Sequence, residues 1–91
     1  MTLNAVITGG GKGIGLAVAR RLKAEGVSVS LLGRDEAALS HAAGELGARY
    51  AVADVADYAA LRAAISQFGP CDILVNNAGG TLQAVHAAQR R

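Results

Sequence analysis

Cysteine, proline and aromatic residues are all scarce in this 91-residue chain, and each scarcity excludes something. The single cysteine, Cys71, cannot pair within the chain, so there is no disulfide scaffold. The single proline, Pro70, stands beside 52% hydrophobic and 18% charged residues, a composition that a disordered linker does not have. Aromatics at 3% leave almost nothing to stack on bases. The net charge of +2 leans on the terminal pair Arg90 and Arg91, so it does not mark a nucleic-acid surface. No apolar run approaches the roughly 18 residues of a membrane span, and the first residues lack the charged-then-apolar order of an export signal. These absences predict one soluble cytoplasmic unit with neither nucleic acid nor membrane as partner. It is shorter than the about 100–150 residues of a common domain.

Glycine, in contrast, is plentiful at 12 residues, and it punctuates an alternating pattern. Residues 3–8 (LNAVIT) form an apolar, β-branched run that suits a buried strand. Residues 14–25 place Ile14, Ala17, Val18 and Leu22 at helical spacing before Gly26. Residues 27–32 (VSVSLL) predict a second strand, and Asp35 an N-cap for a helix over Glu36–Leu46 that ends at Gly47. Residues 49–53 predict a third strand, and Asp57 caps a helix over residues 58–68 that Gly69 and Pro70 stop. Residues 72–76 (DILVN) predict a fourth strand. Residues 81–91 read as a helix, with Ala84, Val85, Ala87 and Ala88 apolar. Strands alternating with helices of this length imply parallel βαβ units with right-handed crossovers, and near-continuously apolar strands imply helices on both faces of the sheet.

The strongest chemical signal is the loop at residues 8–15, TGGGKGIG, between the first strand and the first helix. It is neither G-x-G-x-x-G, because Ile14 stands where the third glycine belongs, nor a Walker A loop, because Lys12 is followed by glycine. It fits G-x-x-x-G-x-G through Gly9, Gly13 and Gly15. In that role Gly9 permits the turn, Gly13 lets backbone N–H groups approach a pyrophosphate, and Gly15 lets the helix press on the sheet. The phosphates then face the positive end of the helix dipole. At the end of the second strand, where a carboxylate would hold the ribose 2′-hydroxyl, stand Gly33 and Arg34. A guanidinium with no acid before it suits a 2′-phosphate, and Lys12 points the same way. Asp35 reads better as a helix cap, with a ribose acid as its alternative. Asp54 after the third strand is either a turn residue or an acceptor for the adenine amino group.

These residues resemble the short-chain dehydrogenase/reductase family. The resemblance rests on TGGGKGIG, Gly33–Arg34, Asp54–Val55 and the NNAG stretch Asn76–Asn77–Ala78–Gly79, in order and in register over about residues 3–80. It implies a Rossmann-type, doubly wound parallel α/β sheet, present in part, with four strands in the order 3-2-1-4. It implies that Gly9, Gly11, Lys12, Gly13, Ile14 and Gly15 hold the cofactor and that Asp54 and the Val55 backbone meet the adenine. Asn77, Ala78 and Gly79 would line the nicotinamide ribose, while Asn76 would tie neighbouring strands. In the family, basic residues at Lys12 and Arg34 go with NADP rather than NAD.

The family's acid–base tyrosine, followed four residues later by a lysine, has no counterpart here. Tyr50 is followed by Asp54 at that spacing and Tyr58 by Arg62. No catalytic residue is therefore assigned, and neither Cys71 nor the two histidines suggest a nucleophile or a metal site. The expectation is one partial domain over residues 1–91, with 1–79 as the cofactor-binding half and 80–91 as a tail of unassigned structure. In full-length form it would be an NADP-dependent oxidoreductase interconverting a small-molecule alcohol and carbonyl, this chain contributing cofactor binding. The alternatives are a stand-alone nucleotide-binding module and an inactive truncated product. Lacking a fifth strand, the fourth would present an open edge through which the chain self-associates.

Overall fold

β1 (Asn4–Thr8) is the strand on which the chain is wound, and the computed structural model describes it within residues 3–54, 56–78 and 81–86. After it come α1 (Gly13–Ala24), β2 (Ser28–Gly33), α2 (Glu36–Leu46), β3 (Arg49–Val52), α3 (Tyr58–Gln67), β4 (Ile73–Ala78) and β5 (Thr81–His86). The sheet order is β3-β2-β1-β4-β5. The first four strands pair in parallel, with β1 between β2 and β4, so the expected order 3-2-1-4 is found.

Alternation along β1 explains the two layers. Ile7 joins Val29, Leu31 and Val75 in a core closed by Ala19 of α1 and by Leu39, Ala42 and Ala43 of α2. Val6 and Leu32 point the other way, into a second core with Ala53, Ala64 and Phe68, covered by α3. Successive side chains on a strand face opposite sides, so a run without polar breaks must be covered on both. Ile7, Leu31 and Leu32 are fully buried, and each contributes about 1.5–3 kcal/mol relative to exposure.

The aspartates at the helix starts do what their positions predict. Asp35 accepts the N–H of Ala38, and Asp57 that of Ala60, both at 3.1 Å. At the other end of α3, Arg49 of β3 donates to the Phe68 carbonyl at 2.9 Å and lies 5.6 Å from the Phe68 ring. The first strands of each half are joined at their starts by Asp72, which is buried, accepts the Asn4 N–H and donates its own N–H to the Asn4 carbonyl, each at 2.8 Å.

The end of the chain corrects the sequence reading. Residues 81–86 are not a helix: they form β5, which runs antiparallel to β4 from Ala78↔Thr81 to Ile73↔His86. The helical reading followed the apolar spacing of Ala84 and Val85. Against it, β4 offers a row of unpaired N–H and C=O groups, and a strand beside it satisfies them where a helix would not. Gly79 and Gly80 are the two residues between the paired Ala78 and Thr81, and a glycine pair at that spacing is a hairpin signal. The edge of β4 is therefore not open for self-association. Among the described residues no helix is long and apolar enough to cross a membrane.

Candidate functional site

A cleft of about 480 Å³ lies at the carboxyl ends of the parallel strands. Thr8, Gly9, Gly11 and Lys12 line it from the end of β1, and Gly33, Arg34 and Asp35 from the end of β2. The first turns of α2 supply Ala38 and Leu39, the exit of β3 supplies Ala53 and Asp54, and β4 supplies Asn77. Because β1 has its successors on opposite sides, this is the point where the strand order reverses. Crossovers leave the sheet in two directions there and open a crevice between them.

Contact across the loop is very close. Gly9 has φ +65°, and a Cβ on it would lie 2.8 Å from the backbone oxygen of Asn77. A Cβ on Gly15 would overlap the carbonyl oxygen of Gly9 and lie 2.8 Å from Nδ2 of Asn77. The loop, the first turn of α1 and the end of β4 thus touch only because two side chains are missing. The N-cap of α1 is Lys12, which makes no side-chain cap bond, and no acidic residue stands in the first turn of that helix. The first N–H groups of α1 and the positive end of its dipole therefore meet no carboxylate of the cap or first turn, unlike those of α2 and α3. A cradle without Cβ atoms, ending on uncapped N–H donors, fits the pyrophosphate of a dinucleotide. A Cβ on Gly13 would meet nothing within 4 Å, so its backbone is open to approach.

Two exposed ion pairs border the cleft. Lys12 Nζ lies 3.4 Å from Oδ2 of Asp35, and Arg34 Nη1 lies 4.0 Å from Oδ2 of Asp54. Asp35 uses its other oxygen to cap α2; that N–H bond first, and the Lys12 ammonium second, hold its carboxyl below the ordinary range. Asp54 accepts the Ala56 N–H at 2.9 Å, so it serves the turn while still lining the cleft.

The structure therefore brings Gly9, Gly11, Lys12, Arg34, Asp54 and Asn77 to one wall-and-floor arrangement. Gly13, Ile14 and Gly15 follow in the first turn of α1, where Ile14 is 53% exposed. Ala78 ends β4, with its backbone paired to Thr81. The sequence-predicted contacts at Val55 and Gly79 lie outside the described residues.

Sequence reasoning missed Thr8. Its buried hydroxyl accepts the Asn77 N–H at 2.9 Å and donates to Oδ1 of Asn76 at 3.1 Å, which locks the end of β1 to the end of β4. The available signal was a hydroxyl residue at the strand terminus just before the glycine run. Leu39, read only as core, also forms cleft wall. Cys71 donates to the Ile73 carbonyl at 3.3 Å, and burial pushes its thiol up, away from nucleophilic use. Among the described residues no His, Cys, Asp or Glu cluster gathers as a metal site.

Comparison with known proteins agrees with this geometry. The family model for short chain dehydrogenase matches residues 3–90. Galactitol 2-dehydrogenase (L-tagatose-forming) of Cereibacter sphaeroides is 47% identical over 81 residues, which cover 82% of this chain and 32% of that protein. Among solved structures, an actinorhodin polyketide ketoreductase with NADPH is 38% identical, with a TM-score of 0.75, over 86% of this chain and 33% of the other. The Pseudomonas aeruginosa RhlG/NADP active-site complex is 34% identical, with a TM-score of 0.77, over 85% of this chain and 34% of that one. The chain spans about a third of the length of these relatives. A glycine cradle at the switch point, the 3-2-1-4 sheet and the family match together mean that this chain belongs to the short chain dehydrogenase family.

Proposed function

We propose that the chain is the dinucleotide-binding part of an NADP-dependent cytoplasmic oxidoreductase that interconverts a small-molecule alcohol and carbonyl. The observation that carries this reading is the pairing of a Cβ-free cradle at Gly9 and Gly15 with two cations at the cleft, Lys12 in the loop after β1 and Arg34 at the end of β2. The first turn of α1 would receive the pyrophosphate, and Lys12 and Arg34 the 2′-phosphate. Asp54 with the Val55 backbone would meet the adenine, and Asn77, Ala78 and Gly79 the nicotinamide ribose. When bound, the nicotinamide supplies a hydride donor or acceptor. Residues 1–91 contain no Tyr-x-x-x-Lys, so none of them is assigned as the acid–base partner of that hydride step. The ketoreductase with NADPH and the RhlG/NADP complex support the choice of NADP.

Isothermal titration of the chain with NADPH and with NADH tests the reading. Tighter binding of NADPH is expected; no heat with either cofactor overturns it, and tighter binding of NADH overturns the preference. A second reading, a dinucleotide-binding module without catalysis, is favoured by β5, which pairs the edge of β4 within the chain itself. The coding sequence past codon 91 separates the two: an in-frame serine and Tyr-x-x-x-Lys mark the oxidoreductase, and their absence marks the module.

A further inference from the structure

The strand beside β4 runs the wrong way to complete a two-sided crevice. β1, β2, β3 and β4 are parallel and all bring their carboxyl ends to the cleft. β5 does not: Thr81 stands beside Ala78 at the cleft end, and His86 stands beside Ile73 at the opposite end of β4. A fifth parallel strand would bring another carboxyl end, and the loop after it, to the crevice. β5 instead takes residues 81–86 away. Among the described residues the cleft is accordingly one-sided. Arg34 and Asp54 bring charge to it and Ala38, Leu39 and Ala53 apolar surface, all from β2, α2 and the exit of β3. From β4 and β5 it receives Asn77 alone among the described residues. That residue is already engaged. The Thr8 hydroxyl holds its N–H at 2.9 Å, and its Nδ2 lies against Gly9 and Gly15, 3.2 and 2.8 Å from where a Cβ on each would stand. The next residue, Ala78, is paired to Thr81.

We propose that residues 1–91 form a receptor for adenine nucleotides phosphorylated at both the 5′ and the 2′ carbon, and that the nicotinamide end of a dinucleotide stays in water and adds little affinity. The proposal deepens the dinucleotide reading above and rests on it. The groups that reading relies on, the first turn of α1 for the pyrophosphate and Lys12 and Arg34 for the 2′-phosphate, all serve the adenosine side. A flat purine gains affinity from the apolar surface of Ala38, Leu39 and Ala53. The nicotinamide ring needs buried surface in the same way, and the reversed direction of β5 supplies no strand end or following loop on which to bury it. A free nucleotide such as 2′-phospho-ADP-ribose is therefore a ligand of this chain in its own right.

The test is isothermal titration of the full chain with NADPH and with 2′-phospho-ADP-ribose, which is the same molecule without its nicotinamide. 2′-Phospho-ADP-ribose is expected to bind within about threefold of NADPH, or tighter. NADPH tighter by more than about threefold means a held nicotinamide, and it overturns this inference while leaving the dinucleotide site standing. Saturation-transfer NMR with NADP reads the same point on the ligand: strong transfer to the adenine protons and weak transfer to the nicotinamide protons is expected. Equal transfer to both rings overturns the inference. Arg34→Asp is expected to weaken both ligands by the same factor, and a loss confined to NADPH overturns their sharing of one site. Absence of binding by NADPH and 2′-phospho-ADP-ribose alike overturns the dinucleotide reading, and this inference with it.

Discussion

The hydroxyl of Thr8 accepts the backbone N–H of Asn77 at 2.9 Å, although 69 positions separate the two residues. The same hydroxyl donates to Oδ1 of Asn76, the residue directly opposite Thr8 in the extension of the β1–β4 register. One small side chain thus holds the strand that carries the glycine loop against the strand that carries the asparagines, on the floor of the cleft. Thr8→Val keeps the shape and takes the hydroxyl from two half-buried partners. It is expected to destabilise the fold by about 1–3 kcal/mol. A thermal melt followed by circular dichroism checks this, and Thr8→Ser, which restores the hydroxyl, is expected to recover most of the loss. Equal stability of Thr8→Val and wild type would remove the hydroxyl from the account.

Gly15→Ala puts a methyl group onto the carbonyl oxygen of Gly9, and the loop must move away. Affinity for NADPH is expected to fall by at least about tenfold, since displacements near 1 Å can cost a hundredfold in well-oriented sites. Gly44→Ala is the contrasting case: a Cβ there meets nothing within 4 Å inside α2, and a gain of about 0.5–1 kcal/mol in unfolding free energy is expected. Titration for the first variant and urea unfolding for the second distinguish contact from propensity.

Arg34→Asp replaces the proposed 2′-phosphate partner with a like charge. NADPH binding is expected to weaken by about tenfold or more, a charge-assisted hydrogen bond being worth about 1.5–3 kcal/mol. The preference should move toward NADH. Unchanged relative affinity in competition titrations would count against Arg34 as the 2′-phosphate contact.

Acid should loosen the layer formed by α1 and α2. Glu45 is held below the ordinary carboxylate range by the Arg20 guanidinium, which donates to it at 2.7 and 3.1 Å, and Asp35 is held low by the Ala38 N–H and Lys12. For a carboxylate whose folded pKa is depressed, the unfolded chain takes up protons first as pH falls. The stabilisation is therefore complete above the ordinary carboxylate range near pH 4 and is lost as pH falls through the folded values. Urea midpoints of wild type and of Glu45→Gln with Asp35→Asn should differ at pH 7 and converge toward pH 2. A constant gap across that range would contradict the linkage.

Cys71 is half-buried, and desolvation raises its thiol first among the causes. Alkylation by iodoacetamide at pH 7 should run several-fold slower than for an unfolded peptide, because little thiolate is present. Unfolding in urea should restore the ordinary rate. A native thiol that reacts as fast as the peptide would place it in contact with solvent.

Much of this site was legible before the structure, because its signals are local. The spacing of Gly9, Gly13 and Gly15 between an apolar run and a helical stripe announces a strand, a turn and a helix end within a dozen residues. Asp35 and Asp57 announced their helices in the same way, and both cap as expected. The roles of Thr8 and Leu39 were not legible. Thr8 acts through residues of β4 far along the chain, and Leu39 belongs at once to the α2 core stripe and to the cleft wall.

Amphipathic periodicity, cap residues and glycine placement were enough to specify each of the first seven elements, since backbone sterics and burial of one face act over a few residues. They were not enough for the last. In residues 81–86 the local pattern allows a helix, and pairing with the exposed backbone of β4 makes a strand. The ion pairs Lys12–Asp35 and Arg34–Asp54 belong to the same class: they form between loops at the ends of different strands. Which charges meet at the cleft depends on the order in which those strands lie side by side, and that order arises when the two cores close around β1.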